Sequence, residues 1–174
     1  VEAETNVSIT RRGVAVPGSN VTVVARVHDA ALPNATVRVD GTRVARTDRN
    51  GTAAVLVPFD RSFLVRVRRG AVGGHANWST TGSLELEHGP VRRPFTTIPV
   101  SLTVANRPVE NATVLLNDRV VGQTGPNGTV DTSVPLTNSL RVSARKGELT
   151  TSTRVSGILR TPATVLVLVT VLPV

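Results

Sequence analysis

The chain contains an internal duplication. Residues 34–70 align without a gap with residues 111–147, at the offset of 77 residues that separates Asn34 from Asn111. Fifteen of the 37 aligned positions are identical, and they include Asn-Ala-Thr-Val at the start of each copy and Asn-Gly-Thr near its middle. Such a repeat indicates two copies of one structural unit. It also disfavours an enzyme, because small duplicated units more often form stalks, arrays or binding modules.

The duplication sets the expected domain organisation. The 174 residues divide into two domains of roughly 75–90 residues each, a size that can fold alone around a modest core. Pro and Gly, which punctuate linkers, are frequent in residues 88–94. We therefore expect the first domain to span residues 1–90 and the second to span residues 91–174. The Gly-rich residues 69–76 are expected to form a turn.

The residue pattern predicts strands throughout. Val and Thr suit a pleated, half-buried surface, and residues 20–28 alternate with the period of two that is typical of a strand. Asp40-Gly41 lies between two alternating runs, which is a strong hairpin signal. Val65 and Val142, at matching positions of the two copies, should point inward. The predicted fold class is all-β, with two tandem Ig-like or prealbumin-like β-sandwich domains.

Aromatic side chains are scarce, being limited to Phe59, Phe63, Phe95 and Trp78. The cores must therefore be built from Val, Leu and Ile, which leaves few rigid anchors for gripping a partner. Trp78 is expected to cap a domain edge or a seam between the domains rather than to bind a ligand at the surface.

Asn-x-Ser/Thr acceptor sites are frequent in this chain. Ser and Thr make up 34 of the 174 residues, so chance predicts far fewer sites than are present. Two of them fall in Asn-Gly turns, where the Thr that follows simply begins a strand. Such sites matter only where glycosylation machinery meets the chain, outside the cytoplasmic membrane. We expect an extracellular glycoprotein, with Thr enrichment in strands as the competing explanation. The candidate glycosylation sites are Asn6, Asn20, Asn34, Asn50, Asn77, Asn111 and Asn127.

The chain is strongly basic, with a net charge of +8 from 19 Arg and one Lys. Such a balance could favour a polyanion, an acidic cell surface or anionic lipid. The arginines are scattered along the sequence, whereas nucleic-acid binders usually cluster them on one stripe. We therefore prefer solvated outer faces of strands to a ligand site, and we expect no specific nucleic-acid partner.

Nothing in the sequence predicts catalytic chemistry. There is no Cys, which excludes disulfides, thiol catalysis and zinc–thiolate sites. Glu85, Glu87 and His88 lie close in sequence, but the two carboxylates should share the solvent face of a strand. Asp48 and Asn50 form only a thin oxygen cluster for calcium, and Gly125 replaces Asp48 in the second copy. No nucleophile elbow or phosphate-binding loop is present. We expect no enzyme activity, no cofactor and no metal site.

The C-terminal run allows three interpretations. Residues 161–174 are mostly apolar and rich in Val, yet too few for a membrane span, which needs about 20 residues. They could form a buried closing strand, begin a transmembrane helix, or insert into a neighbour's sheet as a donated strand. The chain begins with Val1 rather than Met, so either a leader has been removed or the sequence is an excerpt of a longer protein.

Two segments carry a family resemblance. Residues 29–57 contain Pro-Asn-Ala-Thr-Val, a short hairpin and Thr-Asp-Arg-Asn-Gly-Thr-Ala, and the second copy matches through residues 107–114 and 124–129. This resembles extracellular Ig-like and carboxypeptidase-regulatory-like (transthyretin-like) modules, including bacterial Ig-like domains. The second copy departs by lacking the Asp after Thr124. The resemblance implies a non-catalytic β-sandwich on cell-surface proteins, adhesins or membrane-anchored enzymes. The Asn-x-Thr-rich, Arg-rich and Cys-free composition is also similar to archaeal surface proteins.

The functional expectation is a non-catalytic extracellular spacer in a cell-surface or membrane-anchored protein, with adhesion left open. The alternatives are an accessory ectodomain of a membrane-bound enzyme and a surface filament subunit that assembles by strand donation. Expected partners are cell-surface polymers or neighbouring domains of the same protein, and the membrane through sequence beyond Val174.

Overall fold

The computed structural model describes residues 7–158, and within this range every regular element is a β-strand. The first repeat contains β1 (Ser8–Arg12), β2 (Asn20–Val27), β3 (Ala30–Ala31), β4 (Thr36–Val39), β5 (Thr42–Arg46), β6 (Thr52–Leu56), β7 (Ser62–Arg69) and β8 (Val72–Ser79). The second repeat contains β9 (Leu84–His88), β10 (Thr97–Val104), β11 (Arg107–Pro108), β12 (Thr113–Leu116), β13 (Arg119–Gln123), β14 (Thr129–Ser133), β15 (Ser139–Lys146) and β16 (Leu149–Ser156). The expectations for Asn6 and for residues 161–174 lie outside the described residues.

Each repeat consists of two antiparallel sheets that pack face to face. In the first repeat, β2 pairs with β1 on one side and with β6 and the short β3 on the other, while the second sheet has the order β5-β4-β7-β8. In the second repeat, β10 has the place of β2, and the second sheet has the order β13-β12-β15-β16. Strands β10 to β16 begin and end 77 residues after β2 to β8. The predicted all-β fold with two tandem Ig-like β-sandwiches is confirmed.

The strand β9 shows that the expected boundary at residue 90 is misplaced. This strand pairs with β10, and Leu84 lies in the core of the second repeat. The chain therefore passes from one sandwich to the other between Ser79 and Leu84. Residues 89–94 instead lie in the connection between β9 and β10 of the second repeat. Pro and Gly punctuate turns as well as linkers, so their presence here did not identify a domain boundary.

The expected turn at residues 69–76 is also wrong over most of its length. Residues from Val72 onward form β8, which pairs with β7. Gly74 permits a close approach: a Cβ at this position would lie 2.5 Å from the backbone oxygen of Val7. Gly within a strand often marks such an approach of another backbone, so Gly74 lets Val7 lie against β8.

The alternating aliphatic residues close one core in each sandwich, as the sequence predicts. Val65 and Val142 are both fully buried. The first core also draws on β2, β4, β6 and β7, and the second on the corresponding strands of its own repeat. The Asp40-Gly41 hairpin has φ values of 46° and 85°, and Asn117-Asp118 of the second repeat has 46° and 65°. Both turns therefore use the left-handed region that suits a two-residue hairpin.

A buried threonine anchors the same corner in both repeats. The hydroxyl of Thr47 donates to the carbonyl of Leu32 at 2.6 Å and accepts from the N–H of Ala35 at 2.9 Å. In the second repeat the hydroxyl of Thr124 makes the matching bonds to Val109 and Ala112. The Asn-Ala-Thr-Val motif and the buried Thr that follows it therefore belong to one hydrogen-bonded corner. Both repeats keep these residues because the buried backbone groups of the corner need the threonine hydroxyl as a partner.

The two sandwiches touch through two segments of the first repeat, one between β1 and β2 and one after β6. Phe59 and Val16 of the first repeat pack against the core of the second. The β15–β16 turn contacts the segment after β6: the N–H of Glu148 lies 3.1 Å from the carbonyl oxygen of Phe59 and 3.2 Å from a carboxylate oxygen of Asp60. We call this contact between the repeats the seam.

Candidate functional site: a basic sheet face

Four basic side chains form a line across the outer face of the sheet β5-β4-β7-β8. Arg43 is directly opposite Arg38, Arg38 is opposite Arg66, and Arg66 is opposite His75. Residues directly opposite each other in a sheet share a face, and all four are exposed. We call Arg43, Arg38, Arg66 and His75 the basic row.

A second line of residues runs beside the basic row. Arg46 and Arg68 flank Thr36, and Gly73 follows Arg68 on β8. Because Gly73 carries no side chain, this part of the face holds a shallow depression of about 480 Å³ lined in part by Arg38, Arg66, Arg68 and His75. The depression is open, and its rim is cationic.

The charges on this face are not balanced by acidic residues of the same strands. Strands β4, β5, β7 and β8 contain no Asp or Glu. Arg38 Nη1 donates to the carbonyl of Gly41 at 2.9 Å, and Arg68 Nε donates to the carbonyl of Gly70 at 2.9 Å. These bonds hold two guanidinium groups in place without neutralising them. Like charges directly opposite each other destabilise a sheet, so the arrangement lowers the stability of the sandwich.

The second repeat shows that the fold does not need the basic row. Counting 77 residues onward, the four positions are occupied by uncharged residues: Val120, Leu115, Ser143 and Ser152. The matching sheet keeps one arginine of the second line, Arg145, and carries a separate pair, Arg141 opposite Arg154. The line of four adjacent basic residues is thus a property of the first repeat.

The expectation of scattered arginines needs correction here. In sequence the arginines of this face are separate, but the pairing of β4, β5 and β7 gathers five of the 19 onto one surface. Alternation within each strand places each arginine outward, as the sequence predicts. The register between strands decides whether they become neighbours, and it is set by the Asp40-Gly41 hairpin and by the long-range pairing of β4 with β7.

The candidate glycosylation sites within residues 7–158 are all on the surface. The side chains of Asn20, Asn34, Asn50, Asn77, Asn111 and Asn127 are exposed. Asn34 and Asn111 have left-handed φ values of 57° and 54°. Asn77 lies on β8 two residues after His75, so it shares the outer face with the basic row. The hydroxyl of Thr52, which completes the Asn50 acceptor, donates to the carboxylate of Asp48.

Trp78 lies at the edge of the first core rather than at the seam. Its ring meets that of Phe63 edge to face, with centroids 5.7 Å apart and an interplanar angle of 85°. The guanidinium of Arg11 lies 6.0 Å from the centroid of the Trp78 ring. Trp78 was expected at a domain edge or at a seam between the domains, and the structure places it at a domain edge. Its half-buried ring packs against the first core.

The remaining candidate groups do not assemble into a reactive centre within the described part of the chain. Glu85 and Glu87 are both exposed on β9, while His88 lies on the other face of that strand. No group of three or more His, Asp or Glu side chains suited to a metal occurs among residues 7–158. Over the same residues, no helix is long and apolar enough to cross a membrane.

No protein-family model and no curated protein matches the chain. Among solved structures, the central fibronectin-III array of RIM-binding protein is 13% identical, with a TM-score of 0.37 over 88% of this chain and 68% of that one. Fibronectin(III)-like modules of CbhA from Clostridium thermocellum are 11% identical, with a TM-score of 0.32 over 86% of this chain and 93% of theirs. Neither likeness bears on the role or ligand of this chain.

Proposed function

We propose that the chain is a non-catalytic, extracellular spacer that holds two β-sandwiches in a fixed relation and displays their outer faces. The observation that carries this proposal is the seam, where Phe59 packs against the core of the second repeat and Glu148 bonds to the carbonyl of Phe59. Apolar packing with directional hydrogen bonds favours one relative orientation over many. A spacer needs that property, because a freely hinged pair transmits neither distance nor direction.

Spin-label distances test the spacer role. The chain has no Cys, so Ala54→Cys and Asp131→Cys introduce the only two thiols, at matched exposed positions of β6 and β14. Double electron–electron resonance on the labelled full chain should give one narrow distance distribution that does not change with dilution. A broad distribution would mean that the repeats reorient freely, and the spacer role would then be rejected.

The extracellular location is supported by the exposure of the acceptor asparagines. Mass spectrometry of peptides from the protein purified from its own source should find glycans on several of Asn20, Asn34, Asn77 and Asn111. These four are the informative sites, because Asn50 and Asn127 have an independent reason to exist as turn residues. Unmodified asparagine at every site would count against an extracellular glycoprotein.

We also propose that the two repeats are related to carboxypeptidase-regulatory-like modules. The residues that carry the resemblance coincide with the buried threonine corner of each repeat. A substructure built twice from the same residues is the kind of feature that related modules would share. A solved module of that family in which a threonine hydroxyl bridges the matching carbonyl and N–H would support the relationship, and a different corner would oppose it.

A further inference from the structure

We propose that the basic row of the first repeat binds an acidic polysaccharide that lies across the strands of the sheet β5-β4-β7-β8. The row consists of Arg43, Arg38, Arg66 and His75, which are directly opposite one another on neighbouring strands. This binding site adds to the spacer role and does not depend on it, since a flexible pair of domains could carry the same face.

The spacing of the row suits a linear ligand with regularly repeated anionic groups. Neighbouring strands in a sheet lie about 4.8 Å apart, so four residues in a line span about 15 Å. A polysaccharide of uronic acid or sulfated sugars presents one anionic group on each sugar or on alternate sugars, at intervals comparable with one or two strand spacings. Arg pairs with carboxylate and sulfate through two parallel hydrogen bonds, which fixes geometry as well as charge.

The shape of the face also suits an extended chain. The depression beside the row is open, and Gly73 and Arg68 are among the residues that line it. A polymer can therefore lie over β8 without meeting a side chain at position 73. The carbonyl bonds of Arg38 and Arg68 pre-position their guanidinium groups, which reduces the side-chain entropy lost when a ligand binds.

Other polyanions fit this face less well. Proteins that bind single-stranded nucleic acid combine basic residues with aromatic platforms for base stacking, and the two lines of residues on this face contain no Phe, Tyr or Trp. Reading duplex DNA in its major groove requires a helix or a ribbon that enters the groove, whereas these residues lie on the face of a four-stranded sheet. Charge alone would still attract nucleic acid weakly.

Comparison of the two repeats indicates that the basic row has a role other than stabilising the fold. Two repeats with the same strand positions differ in that one carries Arg, Arg, Arg and His in a line and the other carries Val, Leu, Ser and Ser. Since the uncharged version folds and avoids like-charge repulsion, stability does not explain the charged version. A ligand that neutralises the row does explain it.

The test uses the full chain produced without glycosylation, so that every variant presents the same unmodified protein surface. The first variant takes the residues of the second repeat: Arg38→Leu, Arg43→Val, Arg66→Ser and His75→Ser. A control variant, Arg92→Gln, Arg93→Gln and Arg107→Gln, also removes three formal charges, but from exposed positions outside the basic row. Calorimetry measures binding to polygalacturonate, with neutral dextran, duplex DNA and vesicles containing phosphatidylserine as comparison probes.

We expect the first variant to bind polygalacturonate at least about tenfold more weakly, because losing one charge-assisted hydrogen bond already corresponds to about that factor. The control variant should lose much less, and neutral dextran should not bind. Wild-type affinity should fall as salt is raised. Equal losses in the two variants would show a diffuse charge effect and overturn the proposal. Tighter binding to duplex DNA or to vesicles than to polygalacturonate would also overturn it.

A gain-of-function variant keeps the proposal testable if the first variant folds poorly. Leu115→Arg, Val120→Arg, Ser143→Arg and Ser152→His place the same row on the second repeat. These positions are exposed or half-buried on its outer face. The number of binding sites per chain should rise from one to two. An unchanged stoichiometry in a folded variant would show that the row does not suffice for binding.

Discussion

The backbone N–H of Glu148 donates a hydrogen bond to the carbonyl oxygen of Phe59 at 3.1 Å, and this bond joins the two repeats. Lys146, the only lysine in the chain, lies with its Nζ 5.8 Å from the centroid of the Phe59 ring. Between them, Gly147 has a φ of 57°, and a Cβ there would lie 2.5 Å from the same carbonyl oxygen. The β15–β16 turn is therefore fitted to one segment of the first repeat.

The first prediction concerns Gly147. Gly147→Ala should destabilise the turn by about 1–2 kcal/mol, the cost of a left-handed conformation for an L-residue, and should also open the seam because the new Cβ meets backbone that cannot move aside. The expected result is a lower melting temperature together with a broader distance distribution between labels at residues 54 and 131.

Gly70 provides the matched control for Gly147. It occupies the corresponding β7–β8 turn with a φ of 60°, yet a Cβ at Gly70 would meet nothing within 4 Å. Gly70→Ala should therefore cost the same conformational energy and leave the distance distribution narrow. If both variants broaden the distribution, or neither does, Gly147 has no special part in holding the repeats together.

The second prediction separates Phe59 from its counterpart Leu136. Phe59 is partly buried against the second core and also packs on Gly18, whereas Leu136 is 68% exposed. Phe59→Ala should cost about 1–3 kcal/mol, below the 3–5 kcal/mol of a fully buried Phe. Leu136→Ala should lie within about 0.5 kcal/mol of wild type. Urea denaturation of both variants measures the difference, and similar costs would mean that the seam packing contributes nothing.

The third prediction concerns the buried threonine corner. Thr47 is 3% exposed and Thr124 is 1% exposed, and each hydroxyl bridges a carbonyl and an N–H that would otherwise be unpaired. Thr47→Val and Thr124→Val keep the shape of the side chain but remove both bonds. Each should therefore cost about 1–3 kcal/mol, the usual range for leaving buried polar groups unsatisfied.

Serine at the same positions provides the control for the valine variants. Thr47→Ser and Thr124→Ser keep the hydroxyl and lose one methyl group, which corresponds to about 0.8 kcal/mol of buried apolar surface. Chemical denaturation should therefore rank wild type above the Ser variants and the Ser variants above the Val variants in both repeats. A Val variant as stable as wild type would show that the corner is held by packing alone.

Much of this fold could be predicted from the pattern within single strands. The features that depend on pairing between distant strands could not. The alternation that places Val65 and Val142 inward is a property of each strand by itself, so the sequence was sufficient for it. The domain boundary depended on which partner β9 takes, and Pro and Gly near residues 88–94 look the same whether they separate domains or strands. The basic row likewise required the pairing of Arg38 with Arg66, which are 28 positions apart in the numbering.

The fourth prediction is a pH dependence at Asp48. The N–H and then the hydroxyl of Thr52 donate to its carboxylate, with a further bond from the N–H of Asn50, and these bonds lower the pKa of Asp48 below its ordinary value of 3.8. A carboxyl group whose pKa is lower in the folded state stabilises the fold above its unfolded pKa. That contribution is lost as the pH falls through the lowered pKa.

Asp48→Asn tests this sign directly, because Asn keeps the shape and removes the charge. The melting temperature of the variant should lie below that of wild type at pH 7, and the gap should close as the pH falls below about 4. The turn should still form, since the second repeat makes it with Gly125 in place of Asp48, where Asn127 accepts from the N–H of Thr129 at 3.3 Å. A gap that stays constant from pH 7 to pH 2 would show that the ionised carboxylate is not what stabilises this turn.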